Sequence, residues 1–213
     1  MPNTKAHTQY KLKSGTLIPG VTTVLNSILA KPYLVEWAYQ CGLKNQDYKK
    51  IRDTAGGIGT LAHYLVVCDL QGQTPDTKSY LPEDISKANN CLKSYFAWKK
   101  HNLIKPTMIE EPLISEKYGY GGTLDIYGLL NDENVLIDLK TSKGIYESYL
   151  YQLGAYGQLI FENTGKQPDK ALILRINKDN NDDFEIRFIS NLDRYFEVFR
   201  HLLCVYKLQK ELS

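Results

Sequence analysis

Apolar and polar positions follow two rhythms along the chain, and the change from one to the other marks out its elements. Leu192, Tyr195, Phe196, Phe199, Leu202, Leu203 and Tyr206 recur at three-and-four spacing, which predicts a closing helix over 192–212 with one buried face. The same rhythm predicts helices over 21–30, 33–42, 60–70, 82–101 and 147–163. Shorter apolar runs bounded by turn residues predict strands over 107–115, 122–130, 135–141, 170–176 and 184–189. Ahead of the first helix, Ser14-Gly15 and Pro19-Gly20 are turn signals, so that stretch reads as a folded hairpin or loop. Helix, three strands, helix, strand is the order of an α/β core in which the 147–163 helix crosses over and brings 171–176 parallel to a neighbour. The 213 residues suit one domain over 1–213, with 1–80 a mainly helical subregion forming one wall of a cleft.

The two middle strands carry the chemistry. Asp125 and Asp138 stand thirteen positions apart, separated by the apolar stretch Ile126 to Leu130, the polar Asn131-Asp132-Glu133-Asn134, and Val135-Leu136-Ile137. That pattern predicts a hairpin. With the four polar residues as its loop, Leu130 faces Val135 and Asp125 lies across from Lys140, while Asp138 points the same way two residues earlier. A slip of one residue would send Asp125 to the other face. Two carboxylates held close repel each other, and a hard cation such as magnesium or manganese resolves the repulsion. Lys140 beside them favours the ionised state and could steer a metal-bound water toward a phosphodiester. The plain alternative is a surface ion-pair cluster. It fits poorly, because Asp138 sits in Val135-Leu136-Ile137-Asp138-Leu139, a run typical of a strand covered on both faces.

Gln152 and Tyr156 are four apart on the 147–163 helix and share one face, which Tyr149 joins a turn earlier. Tyr149 fits packing and contact equally well. His63, in Leu61-Ala62-His63-Tyr64-Leu65, reads by itself as a hydrogen-bonded core residue. Net charge is only +2, so affinity for nucleic acid must come from local grouping. Candidates are Lys140, Lys143, Arg175 and Lys178, with Thr141-Ser142-Lys143-Gly144 a loop whose amides and hydroxyls could hold a phosphate. Lys49, Lys50 and Arg52 form a second cluster, equally a solvated helix face. Sixteen tyrosines offer stacking surfaces for unpaired bases, although most must serve the core.

Composition narrows the class. The longest apolar runs are too short for a membrane span, and Met1-Pro2-Asn3-Thr4-Lys5 has no signal-peptide pattern. Cys41, Cys68, Cys91 and Cys204 lie far apart with no C-x-x-C, which argues for reduced thiols in a cytoplasm, against zinc and against a disulfide scaffold.

Gly122-Thr123-Leu124-Asp125, Asp138-Leu139-Lys140-Thr141 and Gln152-Leu153-Gly154-Ala155-Tyr156 together resemble the RecB-like branch of the PD-(D/E)xK nuclease superfamily, especially its small phage-type and mitochondrial-type exonucleases. The last segment is similar to that branch's Q-x-x-x-Y signature. Gly59-Thr60-Leu61-Ala62-His63 and the stretches Ile18 to Leu25 and Lys31 to Ala38 extend the similarity, which runs from about Ile18 to Ile176. The resemblance implies an α/β restriction-endonuclease-like core of order α-β-β-β-α-β. It implies a magnesium- or manganese-dependent DNA exonuclease, phage-encoded and acting in recombination, repair or degradation in a bacterial cytoplasm. By that analogy His63, Asp125, Asp138 and the Leu139 carbonyl ligate metal, Lys140 acts on the attacking water, and Gln152, Tyr156 and Tyr149 face the site and the DNA. Glu110, in the preceding strand, matches a glutamate of relatives that supports the ligands or binds a second cation. Relatives with an iron–sulfur cluster hold it on one early and three clustered late cysteines; Cys204 alone is late, so no cluster is expected. DNA with single- or double-stranded ends is the implied partner, without a membrane, and a homo-oligomer or a single-strand-annealing partner is compatible. The alternatives are a catalytically silent DNA-binding or recombination-accessory protein, a structure-specific endonuclease, or a hydrolase of small phosphate compounds.

Overall fold

A computed structural model describes residues 8–179 and 183–212; the polar start Met1 to Lys5 lies outside the described residues. Strands β1 (Tyr10–Lys11) and β2 (Leu17–Ile18) form the short hairpin, followed by helices α1 (Val21–Ile28), α2 (Pro32–Leu43), α3 (Tyr48–Gln71) and α4 (Pro82–Lys99). Then come β3 (Ile104–Ser115), β4 (Tyr120–Leu130), β5 (Glu133–Lys140), α5 (Glu147–Thr164), β6 (Lys170–Ile176), β7 (Phe184–Ile189) and α6 (Leu192–Glu211). From α4 to β6 this is the α-β-β-β-α-β order expected of a restriction-endonuclease-like core, and the fold is mixed α/β.

The five strands lie in sequence order, antiparallel except for β5 and β6, which run parallel because α5 crosses between them. Over the central strands β4, β5 and β6 each face of the sheet is apolar and covered. On one side Leu136, Ala171 and Ile173 pack with α1, α5 and α6. On the other Ile137, Leu139, Leu172 and Leu174 pack with the second half of α3 and with α4. The stripe expected on the closing helix is buried at Leu192, Phe196, Phe199 and Leu203. Gly154 permits close crossing of α5 and α6, since a Cβ there would stand 2.4 Å from the Phe196 amide nitrogen. Among the described residues no helix is long and apolar enough to cross a membrane.

Two local expectations are corrected. Helix α3 begins at Tyr48, twelve residues before the predicted start, and runs through Gly56-Gly57-Ile58-Gly59. The Asp47 carboxylate caps it, accepting from the amides of Lys49 and Lys50 at 2.9 and 3.2 Å, and burial of its second half carries the cost of the glycines. The β4–β5 loop is shorter than four residues: Leu130 pairs with Glu133 and Gly128 with Val135, leaving Asn131 and Asp132 as the turn. Both have positive φ, 50° and 69°, the two-residue geometry that asparagine and aspartate tolerate and that matches strand twist. The pairing is therefore two residues from the predicted one. An even shift preserves the face, so the grouping of Asp125, Asp138 and Lys140 survives, but continuing the register sets Asp125 opposite Asp138 and not opposite Lys140.

Candidate metal centre

Three adjacent strands and two helices meet where β4 begins and β5 ends. Asp125 and Asp138 are 6% and 1% exposed, far below what an aspartate tolerates without compensation. Asp125 Oδ2 accepts the Leu139 amide at 2.8 Å, which ties the two acidic strands together. Asp125 Oδ1 lies 3.5 Å from His63 Nδ1. Asp138 Oδ2 meets Lys140 Nζ at 2.6 Å, while Oδ1 has no hydrogen-bond partner among the described residues. Burial pushes the Asp138 carboxyl above the usual aspartate range; the Lys140 ammonium opposes that shift and the Asp125 charge adds to it. Burial alone would lower Lys140, but Asp138 and then Asp125 outweigh it and hold the ammonium charged.

Helix α5 orients Lys140. Its ammonium donates to Gln152 Oε1 at 3.2 Å, and Gln152 Nε2 donates to the Tyr156 hydroxyl at 2.9 Å. This relay uses both ends of the amide and leaves one orientation for Gln152. Tyr149, one turn earlier, lies under the ammonium with Nζ 4.7 Å from its ring centroid, so it is both a packing residue and a cation contact. Burial, then the Asp138 charge, drives the Tyr156 hydroxyl well above its ordinary range, so it stays protonated. Gly122 fits this cluster for a steric reason, because a Cβ there would fall 2.5 Å from Tyr156 Cε1.

Glu110 takes a larger part than the sequence suggested. One nitrogen or oxygen atom each of His63, Glu110 and Asp125 lies within 4.8 Å of the others, close enough to share one cation. Glu110 reaches this position through a backbone φ of +53° inside β3, between the pairs Ile109–Ile126 and Glu111–Leu124. A left-handed non-glycine residue costs about 1–2 kcal/mol and persists where the surroundings determine it, commonly at functional sites. The donor set of imidazole and carboxylates, with no thiolate, is compatible with a divalent cation; Asp138, expected as a ligand, lies outside this group of three, with its Oδ1 unsatisfied.

The predicted DNA contacts divide. Thr141 borders α3, where a Cβ on Gly59 would stand 2.9 Å from its hydroxyl. Ser142 closes the loop by donating to the Gly144 carbonyl at 2.8 Å, and Lys143 is exposed beside it. Arg175 neighbours Lys140 in the parallel register but binds Glu185 at 2.7 Å. Lys178 is drawn toward α3, its ammonium 3.4 Å from the Ala55 carbonyl. Sequence reasoning missed Tyr10, whose hydroxyl bonds Thr123 Oγ1 at 2.9 Å and whose ring packs where Gly121 has no side chain. No spacing signal marks it; its position depends on the N-terminal hairpin docking on β4 through the Gly121 amide and the Pro19 carbonyl, 3.0 Å apart. Tyr10 lines a cavity of about 560 Å³ that includes His63, Asp125, Lys140, Gln152 and Tyr156.

No protein-family model matches the chain, and no curated protein matches it. Among solved structures it is similar to a protein from Eubacterium rectale whose description proposes an exonuclease, at 15% identity and a TM-score of 0.46. That match covers 68% of this chain and 63% of the other, so the chain spans less than two thirds of it. It is also similar to an alkaline exonuclease from Laribacter hongkongensis, at 12% identity and a TM-score of 0.34, over 71% of this chain and 84% of that one.

Proposed function

We propose that the chain is a divalent-metal-dependent deoxyribonuclease of the RecB-like PD-(D/E)xK type, hydrolysing phosphodiester bonds at DNA ends. One observation carries the reading: Asp138 is buried with an unsatisfied oxygen, beside a held lysine and within the field of Asp125 and His63. A structural ion pair needs none of the surrounding apparatus.

His63, Glu110, Asp125, Asp138 and the Leu139 carbonyl are the groups that would hold magnesium or manganese. Bound there, the ion supplies charge neutralisation at the phosphoryl oxygens and a lowered pKa for its own water. Lys140 orients the attacking water and stabilises charge developing on the phosphorus oxygens. Gln152 keeps the ammonium in place, and the Gln152–Tyr156 bond keeps Gln152 in place. Leu139 holds Asp125 through its amide, and the same residue would offer its carbonyl to the ion. In this reading Lys143, exposed in the loop after β5, contacts a phosphate of the bound strand, with Thr141 and Ser142 beside it.

The test is release of nucleotides from end-labelled single- and double-stranded DNA with magnesium or manganese. Asp138→Asn and Lys140→Ala are expected to remain folded by circular dichroism and to lose about 100-fold or more in rate, the scale of losing one charge-stabilising group. Cleavage at the parental rate in either variant would end the proposal. Product lengths from the same gels report whether cleavage starts from an end.

A further inference from the structure

Helix α2 is poorly explained by the fold. Of its twelve residues only Cys41 is buried, while Tyr33, Leu34, Val35, Tyr39 and Leu43 are 44–72% exposed. Monomer surfaces seldom gather this much apolar area without a partner. The first turns of α3 continue the patch with Tyr48 and Ile51, and Trp37 meets Tyr48 edge to face.

The patch is connected to the candidate centre by aromatic rings. From Lys140 Nζ it is 4.7 Å to the centre of the Tyr149 ring, 5.5 Å from there to Tyr146, and 5.2 Å from Tyr146 to Tyr33. Tyr33 and Tyr146 lie within 3° of parallel. The two rings cover one face of each other, and Tyr33 is 45% exposed and Tyr146 partly so. The surrounding charge is basic: Arg52 is paired with Asp53 at 2.8 Å, and the remaining Lys31, Lys44, Lys49 and Lys50 outnumber Glu36 and Asp47.

We propose that Tyr33 and Tyr146 form a stacking platform for unpaired nucleobases a few nucleotides from the metal centre, with Lys31 and Lys44 at the two ends of α2 and Lys49 and Lys50 of α3 following the phosphates. The occupant is a single strand. An open aromatic face can accept a base only if that base is not already stacked within a duplex, and aromatic stacking beside cations is how strands are held without sequence preference. A protein partner would leave the basic span unexplained, and a second copy of the chain would meet like charge. The platform rests on the nuclease reading for its place beside the site, and it makes single-stranded ends the preferred substrate.

Binding separates the two ideas. Fluorescence anisotropy of labelled oligothymidylate and of a blunt duplex, with the full chain in chelator so that neither is cut, measures affinity without chemistry. Tyr33→Ala and Tyr146→Ala are each expected to weaken single-strand binding by about tenfold or more, the scale of one stacked base, while Tyr33→Phe holds within about twofold because the ring face remains. Duplex binding should be weaker in the parent and respond little to either alanine. Equal affinity of parent and alanine variants for oligothymidylate, or equal loss for duplex and single strand, would overturn the platform and leave the nuclease reading standing. Concentration-dependent association of the free chain that Tyr33→Ala abolishes would assign the surface to a second copy and also overturn it. Ring-dependent binding by a parent that never cleaves DNA under any divalent ion would keep the platform and remove the enzyme.

Discussion

Tyr156 is held by contacts so close that one methyl group should dislodge it. An added Cβ at Gly122 would lie 2.5 Å from Tyr156 Cε1, 3.1 Å from Cδ1 and 3.2 Å from Leu159 Cδ1, in a region with no room to relax. Gly122→Ala is expected to cost about 1–3 kcal/mol, the usual range for overpacking, seen as a lower denaturant midpoint with an unchanged m-value. It should also reduce cleavage, because displacing Tyr156 frees Gln152, whose other end holds Lys140. A glycine in the strand that carries Asp125 is thus explained by an aromatic ring on another element. Glu110 is the converse case: an ordinary residue type in a backbone conformation that glycine would prefer, which brings its carboxylate within reach of His63 and Asp125.

Among the elements, α3 shows the sharpest division of labour. Its second half is fastened by Leu61, Ala62, Leu65 and Val66 in the core and carries His63, while its first half is exposed nearly throughout. At Gly56 and Gly57 an added Cβ meets nothing within 4 Å, so packing does not require either glycine. Glycine inside a helix is worse than alanine by about 0.5–1 kcal/mol. Gly56→Ala and Gly57→Ala are therefore expected to raise stability by up to that amount each and to slow amide exchange across the first half of α3. Should DNA binding fall while stability rises, the bare strip would be one that a strand approaches closely. Strand β5 divides in the same manner: Leu136, Ile137 and Leu139 bind it into the two cores, and Asp138 and Lys140 emerge at its end.

For the whole molecule, the cores on either side of the sheet bury groups that resist ionisation, and this sets an alkaline limit. Burial pushes the Cys91 thiol from 9.0 to about 11, with Lys178 opposing and Asp179 adding to the shift. Tyr95 and Tyr120 are raised further above their usual 10.0, also mainly by burial. Between pH 9 and about 11 the folded chain keeps the Cys91 proton that the unfolded chain gives up, so the folded state binds more protons and stability falls as pH rises. The slope from this one group approaches about 1.4 kcal/mol per pH unit at most. Denaturant titrations at pH 8 and pH 10 should show the loss in the parent and a smaller one in Cys91→Ala; equal losses would assign it elsewhere. Below pH 9 the thiol is protonated in both states and contributes no pH dependence.

The sequence alone determined the elements and the identity of most candidate site residues, because both depend on short-range order. Period 3.6 fixes a helix face wherever the helix docks, so Gln152 and Tyr156 could be read as neighbours from their spacing, and the Leu192, Phe196, Phe199 stripe could be read as buried. Period 2 did the same for Asp125, Asp138 and Lys140, and the face assignment outlived an error of two residues in pairing because two is a whole period. Tertiary structure decided what depends on distant chain. Asp125 faces Asp138 because Asn131 and Asp132 accept positive φ together; His63 and Glu110 approach Asp125 because α3 and a distorted β3 arrive at one end of the sheet; Tyr10 enters the cavity because Pro19 and Gly121 join hairpin to strand. None of these meetings leaves a periodic trace, since each is fixed by packing between segments tens of residues apart.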